Sequence, residues 1–395
     1  MIKIIKNVKV YQPQYMGVKD ILIVGDKIGG IDDGISANFE NGVEVSIIDG
    51  SGKLAVPGFI DSHVHILGGG GEGGFKTRTP EIKLTDLTTA GITTVVGCLG
   101  TDGVTRNMMS LLAKARGLEE EGITTFIYTG SYRIPVTTIT GGVMEDLMAI
   151  DKIIGVGEIA ISDHRSSQPT LEEFSRVAAD ARVGGMLAGK AGILDIHLGD
   201  GPKMIDLILK TVEETEIPIT QFLPTHINRS SHLFEAGIEF ARKGGCIDMT
   251  GTDDPEFLDP DEIRVGKGMK RLLKEGISED NFTLSSDAQG SLPIFNEKKE
   301  YIGIGVGTAA CLWNEIRDCV QKEEIPLEIA IKAITSNPAR MLKLRNKGRL
   351  DTGYDADLCL LDESSLELDT VIAKGKIMVQ SKKPIVFGTF EKSKK

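Results

Sequence analysis

The stretch Leu54-Ala55-Val56-Pro57-Gly58-Phe59-Ile60-Asp61-Ser62-His63-Val64-His65 decides the fold and introduces the chemistry. Its apolar part, residues 54–60, predicts a short buried strand. Side chains two apart on an extended chain point the same way, so His63 and His65 face one side together. Two neutral imidazoles at a strand end make half of a divalent-metal site, or else they are only a pair of hydrogen-bonded polar residues. The rest of the chain decides between these two interpretations.

The composition is that of an ordinary globular protein. The chain has 395 residues, 41% of them hydrophobic, which is enough for one large domain and a smaller one. A formal net charge of -12 argues against nucleic-acid and anionic-membrane partners, because both need a positive field. Five cysteines without Cys-x-x-Cys spacing are typical of a reducing compartment and predict thiols, not metal ligands. With no signal-peptide pattern at residues 1–10, we expect a cytoplasmic protein that acts on small molecules or peptides.

A repeated phrase indicates alternating strands and helices. Gly91-Ile92-Thr93-Thr94-Val95-Val96 recurs as Gly122-Ile123-Thr124-Thr125-Phe126-Ile127 after one helical segment. Further strands are predicted near residues 156–161, 193–197, 221–226, 246–250 and 281–285. With the strand at 54–60 this makes eight units, which predicts an α/β protein with a TIM-like (β/α)8 barrel over residues 55–344. A doubly wound open sheet is the competing interpretation.

Short strands at both ends of the chain predict a second, smaller unit. We expect residues 1–54 and 345–395 to form one small β-sandwich, because chain termini commonly lie close together. Within the barrel, Thr79-Pro80-Glu81 predicts a helix start and Thr170 with Glu173 predicts a capping box. The glycine-rich residues 303–307 are predicted to be a loop.

The carboxyl ends of barrel strands are where such folds place their chemistry. Four of the six histidines fall at these predicted ends, accompanied by two carboxylates. This set suits two divalent cations, such as zinc, that lie about 3.5–4 Å apart and share a carboxylate. A hydroxide that bridges the two ions would be the nucleophile. Asp287 would carry a proton from that hydroxide to the leaving amine, and the Tyr132 hydroxyl would polarise the carbonyl. The predicted metal ligands are His63, His65, Glu158, His197, His226 and Asp287.

Several motifs resemble a known family. Residues 58–65, the later single histidines, Ser286-Asp287 and the tail 348–357 resemble the amidohydrolase superfamily of metal-dependent barrels. Within it, the stretches 68–72, 100–102, 162–166, 224–229 and 285–291 resemble the isoaspartyl dipeptidases. That family cleaves β-aspartyl dipeptides with two zinc ions and forms homo-oligomers, typically octamers. The resemblance implies metal roles for His63, His65, His197, His226 and Asp287, and substrate contacts for Gly70, Glu72, Thr101, Tyr132, Arg165, Arg229 and Ser291.

The charges of these residues match such a substrate. A β-aspartyl dipeptide has one ammonium and two carboxylates, and Glu72 would bind the ammonium while Arg165 and Arg229 each grip a carboxylate. The backbone amides of Gly68 to Gly71, including those of Gly70 and Gly71, would face an anion, as in a nest. The alternative is that both arginines simply face solvent.

One position departs from the family pattern. Isoaspartyl dipeptidases usually carry a carbamylated lysine on strand four, and Glu158 stands in its place. Glutamate reaches less far, so we expect the local Gly155-Val156-Gly157-Glu158 to let the strand shift. The sequence thus predicts a binuclear zinc dipeptidase. A cyclic-amide or N-acyl-amino-acid hydrolase is the nearest alternative, and a metal-free scaffold is a third.

Overall fold

The computed structural model describes residues 2–37, 44–253, 261–295, 298 and 300–392. Its strands are β1 (Ile2–Tyr11), β2 (Tyr15–Val24), β3 (Lys27–Asp32), β4 (Val45–Asp49), β5 (Lys53–Pro57), β6 (Phe59–Val64), β7 (Ile92–Gly97), β8 (Thr124–Thr129), β9 (Ile153–Ile161), β10 (Ile193–Leu198), β11 (Phe222–Thr225), β12 (Ile247–Thr250), β13 (Phe282–Ser285), β14 (Ser291–Phe295), β15 (Tyr301–Val306), β16 (Leu358–Asp362), β17 (Leu368–Ala373), β18 (Lys376–Gln380) and β19 (Lys383–Pro384). Its helices are α1 (Leu84–Thr88), α2 (Met108–Glu121), α3 (Val143–Ala149), α4 (Leu171–Ala188), α5 (Asp206–Glu214), α6 (Ser231–Arg242), α7 (Val265–Lys274), α8 (Cys311–Gln321), α9 (Leu327–Ala330) and α10 (Ser336–Met341).

Strands β6 to β13 form the predicted barrel. The strands from β6 to β11 make one parallel sheet in sequence order, and β12 pairs in parallel with β13. The Ile227 amide donates to Asp248 O at 3.1 Å, which joins the end of β11 to β12. The His65 amide donates to Ala288 O at 2.9 Å, which joins the end of β13 back to β6. The eight parallel strands therefore close on themselves. The barrel prediction is confirmed, and the alternative of an open sheet is wrong.

Local sequence signals explain several of the barrel's helix ends. Gly91 and Gly122 precede β7 and β8 with φ of 83° and 131°, a region that glycine enters without a Cβ penalty. The predicted capping box of α4 is present, since the Thr170 amide donates to Glu173 Oε2 at 2.8 Å and the Glu173 amide to Thr170 Oγ1 at 3.3 Å. The repeated glycine-strand pattern and the capping box are therefore both present where the sequence predicts them.

The strands from the two ends of the chain make a separate nine-stranded sheet. Its order is β19-β18-β17-β16-β5-β1-β2-β3, with β4 beside β1. The sheet encloses its own apolar core, which includes Val8, Ile21 and Leu360. Trp313 of α8 stacks on Phe59 with ring centroids 4.9 Å apart. A barrel carrying a sheet built from both termini is confirmed, whereas the exact boundaries at residues 54 and 345 stay a prediction.

The strand predicted over residues 54–60 is in fact two strands. β5 ends at Pro57 and pairs with β16 in the terminal sheet, and β6 begins at Phe59 in the barrel. Gly58 lies between them, and its amide donates to Asp357 O at 2.8 Å. A Cβ at Gly58 would come within 2.4 Å of Thr93 Oγ1, so the crossing from one unit to the other requires glycine there.

Two local predictions are wrong. Helix α1 begins at Leu84 instead of Pro80, because the Thr79 hydroxyl is used elsewhere. This hydroxyl accepts from the Gly69 amide at 2.7 Å and donates to Gln289 O at 2.6 Å. It therefore stabilises the glycine loop of residues 68–71 instead of capping a helix.

The predicted loop at residues 303–307 is largely strand β15, which forms an antiparallel hairpin with β14. Gly303 pairs with Ile294 and Gly305 with Leu292, so the glycines lie opposite branched apolar residues on the partner strand. Antiparallel pairing with β14 therefore outweighs the glycine content. None of the helices in the described part of the chain is long and apolar enough to cross a membrane.

Candidate metal centre

The six predicted ligands converge at the carboxyl ends of the barrel strands. Glu158 lies at the middle: its Oε1 is 3.2 Å from His65 Nε2, and its Oε2 is 3.1 Å from His197 Nδ1. His63 Nε2 and His226 Nε2 lie 3.4 and 3.8 Å from Oε2. Asp287 Oδ1 is 3.0 Å from His65 Nε2 and 3.8 Å from His63 Nε2. The structure thus brings all six residues together around one carboxylate.

The geometry of this cluster fits metal ions. His63 Nε2, Glu158 Oε1 and Asp287 Oδ1 are buried, and none of their close contacts in the described part of the chain has the geometry of a hydrogen bond. Buried polar atoms are rarely left unpaired, so such a group indicates a missing ligand. Ligand atoms of Glu158, His197 and His226 all lie within 4.8 Å of one another, as do those of a second group that contains His63, His65 and Glu158. Histidine and carboxylate ligands at this separation suit divalent ions such as zinc.

Neighbouring side chains hold the imidazoles in place. Asp195 Oδ2 lies 2.8 Å from His63 Nδ1, and Thr250 Oγ1 lies 2.7 Å from His226 Nδ1. Cys98 Sγ lies 3.9 Å from His65 Nδ1 and can reach the same group of ligand atoms, a contact that the sequence prediction did not include. Partners on the second ring nitrogen fix the tautomer and leave the first nitrogen directed at the metal.

The electrostatics of the cluster favour cations. Burial opposes ionisation of Glu158, but His63 and the hydrogen bond from His197 hold the pKa of its carboxyl well below the usual range. Burial likewise opposes a charge on Asp287, yet the neighbouring His65 lowers the pKa of that carboxyl to about 2. Burial and the charge of Arg229 lower the pKa of His226 to about 3, so that imidazole is neutral.

Glu158 reaches the centre from a β-bulge in β9. Leu194 pairs with Val156 and Ile196 with Ile159, so two residues of β9, Gly157 and Glu158, lie opposite Asp195 alone. Bulges bend a strand and redirect a side chain next to a site. A Cβ at Gly157 would meet Asp195 Cβ at 2.7 Å, so glycine permits the close approach. The bulge is a local shift of the strand, as expected where a glutamate replaces the longer carbamylated lysine.

Two of the predicted ligands lie in unusual backbone conformations. His226 has φ of 62° and Asp287 has φ of 51°, in the left-handed region that residues with a Cβ seldom enter. Such conformations cost about 1–3 kcal/mol and cluster at functional sites. The buried Asp61 accepts a hydrogen bond from the Ser286 amide at 3.2 Å and so fixes the chain next to Asp287.

The predicted substrate residues gather beside the ligands. The Glu72 carboxylate accepts from Thr101 Oγ1 at 2.8 Å and from Ser291 Oγ at 3.1 Å, and Arg165 Nη1 lies 3.3 Å from it. Arg229 Nη1 lies 3.3 Å from His197 Nε2 and donates to Leu198 O at 2.5 Å. Neither arginine simply faces solvent, because both line the same cavity as the ligands.

Asp163 is a residue that the sequence analysis passed over. Its Oδ1 and Oδ2 accept from Arg165 Nε at 3.0 Å and Nη2 at 2.7 Å, and its Oδ2 lies 3.0 Å from His197 Nε2. Burial disfavours its charge, but the bonds from His197 and Arg165 hold the pKa of its carboxyl well below the usual range. Asp163 therefore links a predicted ligand to a predicted substrate residue. Its place two residues before Arg165, directly after strand β9, is the signal that could have identified it.

Tyr132 contacts the ligand set directly. Its hydroxyl lies 2.9 Å from His197 Nδ1, and Arg165 lies over its ring at 5.4 Å. Burial raises the pKa of Tyr132 well above the usual value, so its hydroxyl keeps its proton and can donate a hydrogen bond.

The glycine loop differs from expectation. The amides of Gly68 and Gly69 already donate within the protein, to His65 O at 2.7 Å and to Gln289 O at 3.0 Å, so these two do not form an anion nest. Gly70 has φ of 73° and lines the cavity, and a Cβ there would lie 2.6 Å from Thr77 O. Gly71 has φ of 116° and continues the same turn toward Glu72. The loop therefore serves to bring Glu72 to the site.

The cavity over the centre measures about 270 Å³. Most of its lining is polar or glycine, and the aliphatic side chains among its lining residues are Leu292 and Ile294 of β14. His164 also lines it, while His232 lies in α6 away from the ligands, and neither belongs to the ligand clusters in the described part of the chain.

A closed (β/α)8 barrel with histidines and carboxylates at the carboxyl ends of its strands defines a metal-dependent hydrolase. Comparison with known proteins agrees, because the profile of the Amidohydrolase family matches residues 54–378. The chain belongs to the amidohydrolase family.

Comparison with individual proteins shows which members of the family this chain is similar to. The structure is similar to a crystal structure of β-aspartyl dipeptidase from Fervidobacterium islandicum AW-1 in complex with β-Asp-Leu, with 49% identity, 97% of each chain covered and a TM-score of 0.92. The resemblance to isoaspartyl dipeptidases is therefore confirmed. A dihydroorotase from Pelotomaculum thermopropionicum is 26% identical over 87% of this chain and 84% of its own length. A deacetylase from Agrobacterium fabrum is 24% identical over 91% of this chain and 82% of its own length.

Proposed function

We propose that this protein is a binuclear zinc dipeptidase that hydrolyses β-aspartyl dipeptides. The observation that carries the proposal is that Arg165 and Arg229 line the cavity of the metal centre and that the Glu72 carboxylate lies 3.3 Å from Arg165 Nη1. One carboxylate and two guanidinium groups complement one ammonium and two carboxylates. The likeness to a β-aspartyl dipeptidase at 49% identity supports the same substrate class.

Two sets of side chains would hold the ions. His63 and His65 would bind one, His197 and His226 the other, and Glu158, between all four imidazoles, would be shared. Asp287 would complete the first set, since its Oδ1 lies 3.0 Å from His65 Nε2. Divalent ions bound there lower the pKa of a water and polarise the scissile carbonyl.

The chain's own groups would move the proton and stabilise charge. Asp287 would accept a proton from the attacking water and pass it to the leaving amine, the role of a general base and then acid. Tyr132, whose hydroxyl stays protonated, would donate a hydrogen bond to the carbonyl oxygen as negative charge develops on it.

The substrate's charged groups would set its orientation. Thr101 and Ser291 hold the Glu72 carboxylate from two sides, so it is fixed before an ammonium arrives. Arg229 is free of carboxylate partners in the described part of the chain, whereas Arg165 is already paired with Asp163. Arg229 would therefore bind a substrate carboxylate most directly, and Arg165 would do so while remaining held by Asp163.

Elemental analysis of the purified protein tests the metal part of this proposal. We expect two zinc equivalents per chain. Fewer than one tightly bound divalent ion per chain would contradict it and favour a scaffold without metal.

The resemblance also supports a cytoplasmic homo-oligomer, an octamer. All five cysteines are buried and unpaired, which suits a reducing compartment. Light scattering of the purified protein tests the assembly, and a monomer at working concentration would contradict it.

A further inference from the structure

A second hollow, of about 640 Å³, lies at the end of the barrel opposite to the metal centre. Its lining includes Gly189, which follows α4 and precedes β10, and Asp280, which precedes β13. These positions are at the amino ends of the strands, whereas the metal ligands are at the carboxyl ends. The hollow is therefore separated from the proposed catalytic site by the length of the barrel.

The hollow is lined by basic side chains, only some of which are neutralised. They are Lys332, Arg340, Lys343, Arg345, Lys347 and Arg349. Lys332 pairs with Glu279 at 2.5 Å and with Asp280 at 3.0 Å, and Lys347 pairs with Asp355 at 2.8 Å and with Asp357 at 2.5 Å.

The other four cations have no carboxylate partner in the described part of the chain. Arg340 and Lys343 donate only to the backbone oxygens of Asp280 and Lys190. Arg345 and Arg349 have neither a hydrogen bond nor an ion pair among the described residues. An unneutralised cluster of four cations thus surrounds one hollow.

This cluster is unusual for the chain as a whole. The protein carries a formal net charge of -12, yet residues 340–349 contain five basic side chains and no acidic one. Lys343 and Asn346 in this segment have φ of 50° and 60°, in the left-handed region. Arg340, Lys343, Arg345 and Arg349 are all solvent-exposed, so water and salt screen their mutual repulsion, and a bound anion would offset what remains of it.

We propose that this hollow binds a diphosphate or triphosphate group, free or as part of a nucleotide. Three arginines offer planar donor pairs that match phosphate oxygens, and the hydroxyl-bearing Ser336 and Tyr354 also line the hollow. Small-molecule sites typically measure about 300–1,000 Å³, and this hollow falls in that range. A multiply charged phosphate group neutralises several of the cations at once.

Isothermal titration of the metal-loaded protein tests the site, with metal content measured before and after. The probes are tripolyphosphate, ATP, AMP and citrate at about 0.15 M ionic strength, where long-range attraction is screened. The test variant is Arg345→Gln/Arg349→Gln. The control is Arg176→Gln/Lys210→Gln, which removes the same charge from exposed positions on α4 and α5.

We expect one tripolyphosphate per chain, bound at least about tenfold more weakly by the test variant and equally well by the control. Tighter binding of ATP than of tripolyphosphate would identify a nucleotide as the source of the phosphates, and equal binding would identify the phosphate group alone. Dipeptidase activity without ligand should be unchanged in the test variant. The absence of saturable binding, an equal loss in the control, or citrate bound as tightly as tripolyphosphate would overturn the proposal.

Discussion

Asp195 Oδ2 lies 2.8 Å from Nδ1 of His63, and both side chains are buried. The contact turns His63 Nε2 towards Glu158. We expect Asp195→Asn to keep the shape of the site but to weaken metal affinity by about 10–100-fold, the usual effect of losing such a support. Competition with a chelator measures the affinity. Asp206→Asn, at an exposed position on α5, is the control, and wild-type affinity in Asp195→Asn would contradict the role.

Glu158 carries its negative charge without modification, unlike a lysine carbamate that forms from carbon dioxide. We therefore expect the apo-protein to regain activity with zinc alone, with no gain from bicarbonate. Glu158→Ala should lose at least one ion and nearly all activity, because two cations without a shared carboxylate repel each other. Glu145→Ala, at an exposed site on α3, is the control. A Glu158→Ala protein with both ions and full rate would show that strand four is misassigned.

Thr101 and Ser291 hold the Glu72 carboxylate, and we expect this carboxylate to set the requirement for a free amino group on the substrate. Acetylating the dipeptide nitrogen should abolish most turnover, because the carboxylate would face an uncharged amide. Glu72→Gln should lower kcat/KM for the free dipeptide. It should also reduce the ratio of kcat/KM for the free dipeptide to kcat/KM for the acetylated one. Kinetics on the two substrates measure this, with Glu172→Gln on α4 as the control. Faster turnover of the acetylated dipeptide would instead favour an acylase.

Leu292 is one of two aliphatic side chains, with Ile294, among the mainly polar residues that line the cavity. We expect the residue after the β-aspartyl group to contact it. Leu292→Ala should lower kcat/KM for β-Asp-Leu by about tenfold, from about 1–2 kcal/mol of lost apolar burial, and change β-Asp-Gly little. Ile302→Ala, at a side chain 62% exposed on the other strand of the hairpin, is the control. Equal losses on both dipeptides would exclude this contact.

The barrel was predictable because its signals are local. Each strand is a short apolar run after a glycine or polar turn, and His63 and His65 share a face by alternation alone. The start of α1 was not predictable, because the Thr79 hydroxyl binds the backbone of Gly69 and Gln289, which a sequence does not place beside it. The β14–β15 hairpin was missed for a related reason, since pairing across the hairpin outweighs the glycines of β15.

The residues gathered at the candidate metal centre were easier to predict than the residues that hold them. A histidine at a strand end is easily recognised in a sequence. Asp195, by contrast, is only a single charged residue within an apolar strand. It is nevertheless two residues before His197, and alternation puts both on the same side of β10. Asp163 required the fold itself, because its link to His197 joins the segment after β9 to β10.

The most direct test of the proposed function is turnover of β-Asp-Leu, α-Asp-Leu, dihydroorotate and N-acetyl-aspartate by the zinc-loaded protein. The β linkage places the scissile carbonyl one carbon further from the ammonium than the α linkage does. A fixed Glu72 and a fixed metal centre should therefore distinguish the two dipeptides. We predict that kcat/KM for β-Asp-Leu exceeds that for each of the other three by at least about 100-fold. A higher kcat/KM for dihydroorotate, N-acetyl-aspartate or α-Asp-Leu would contradict the account.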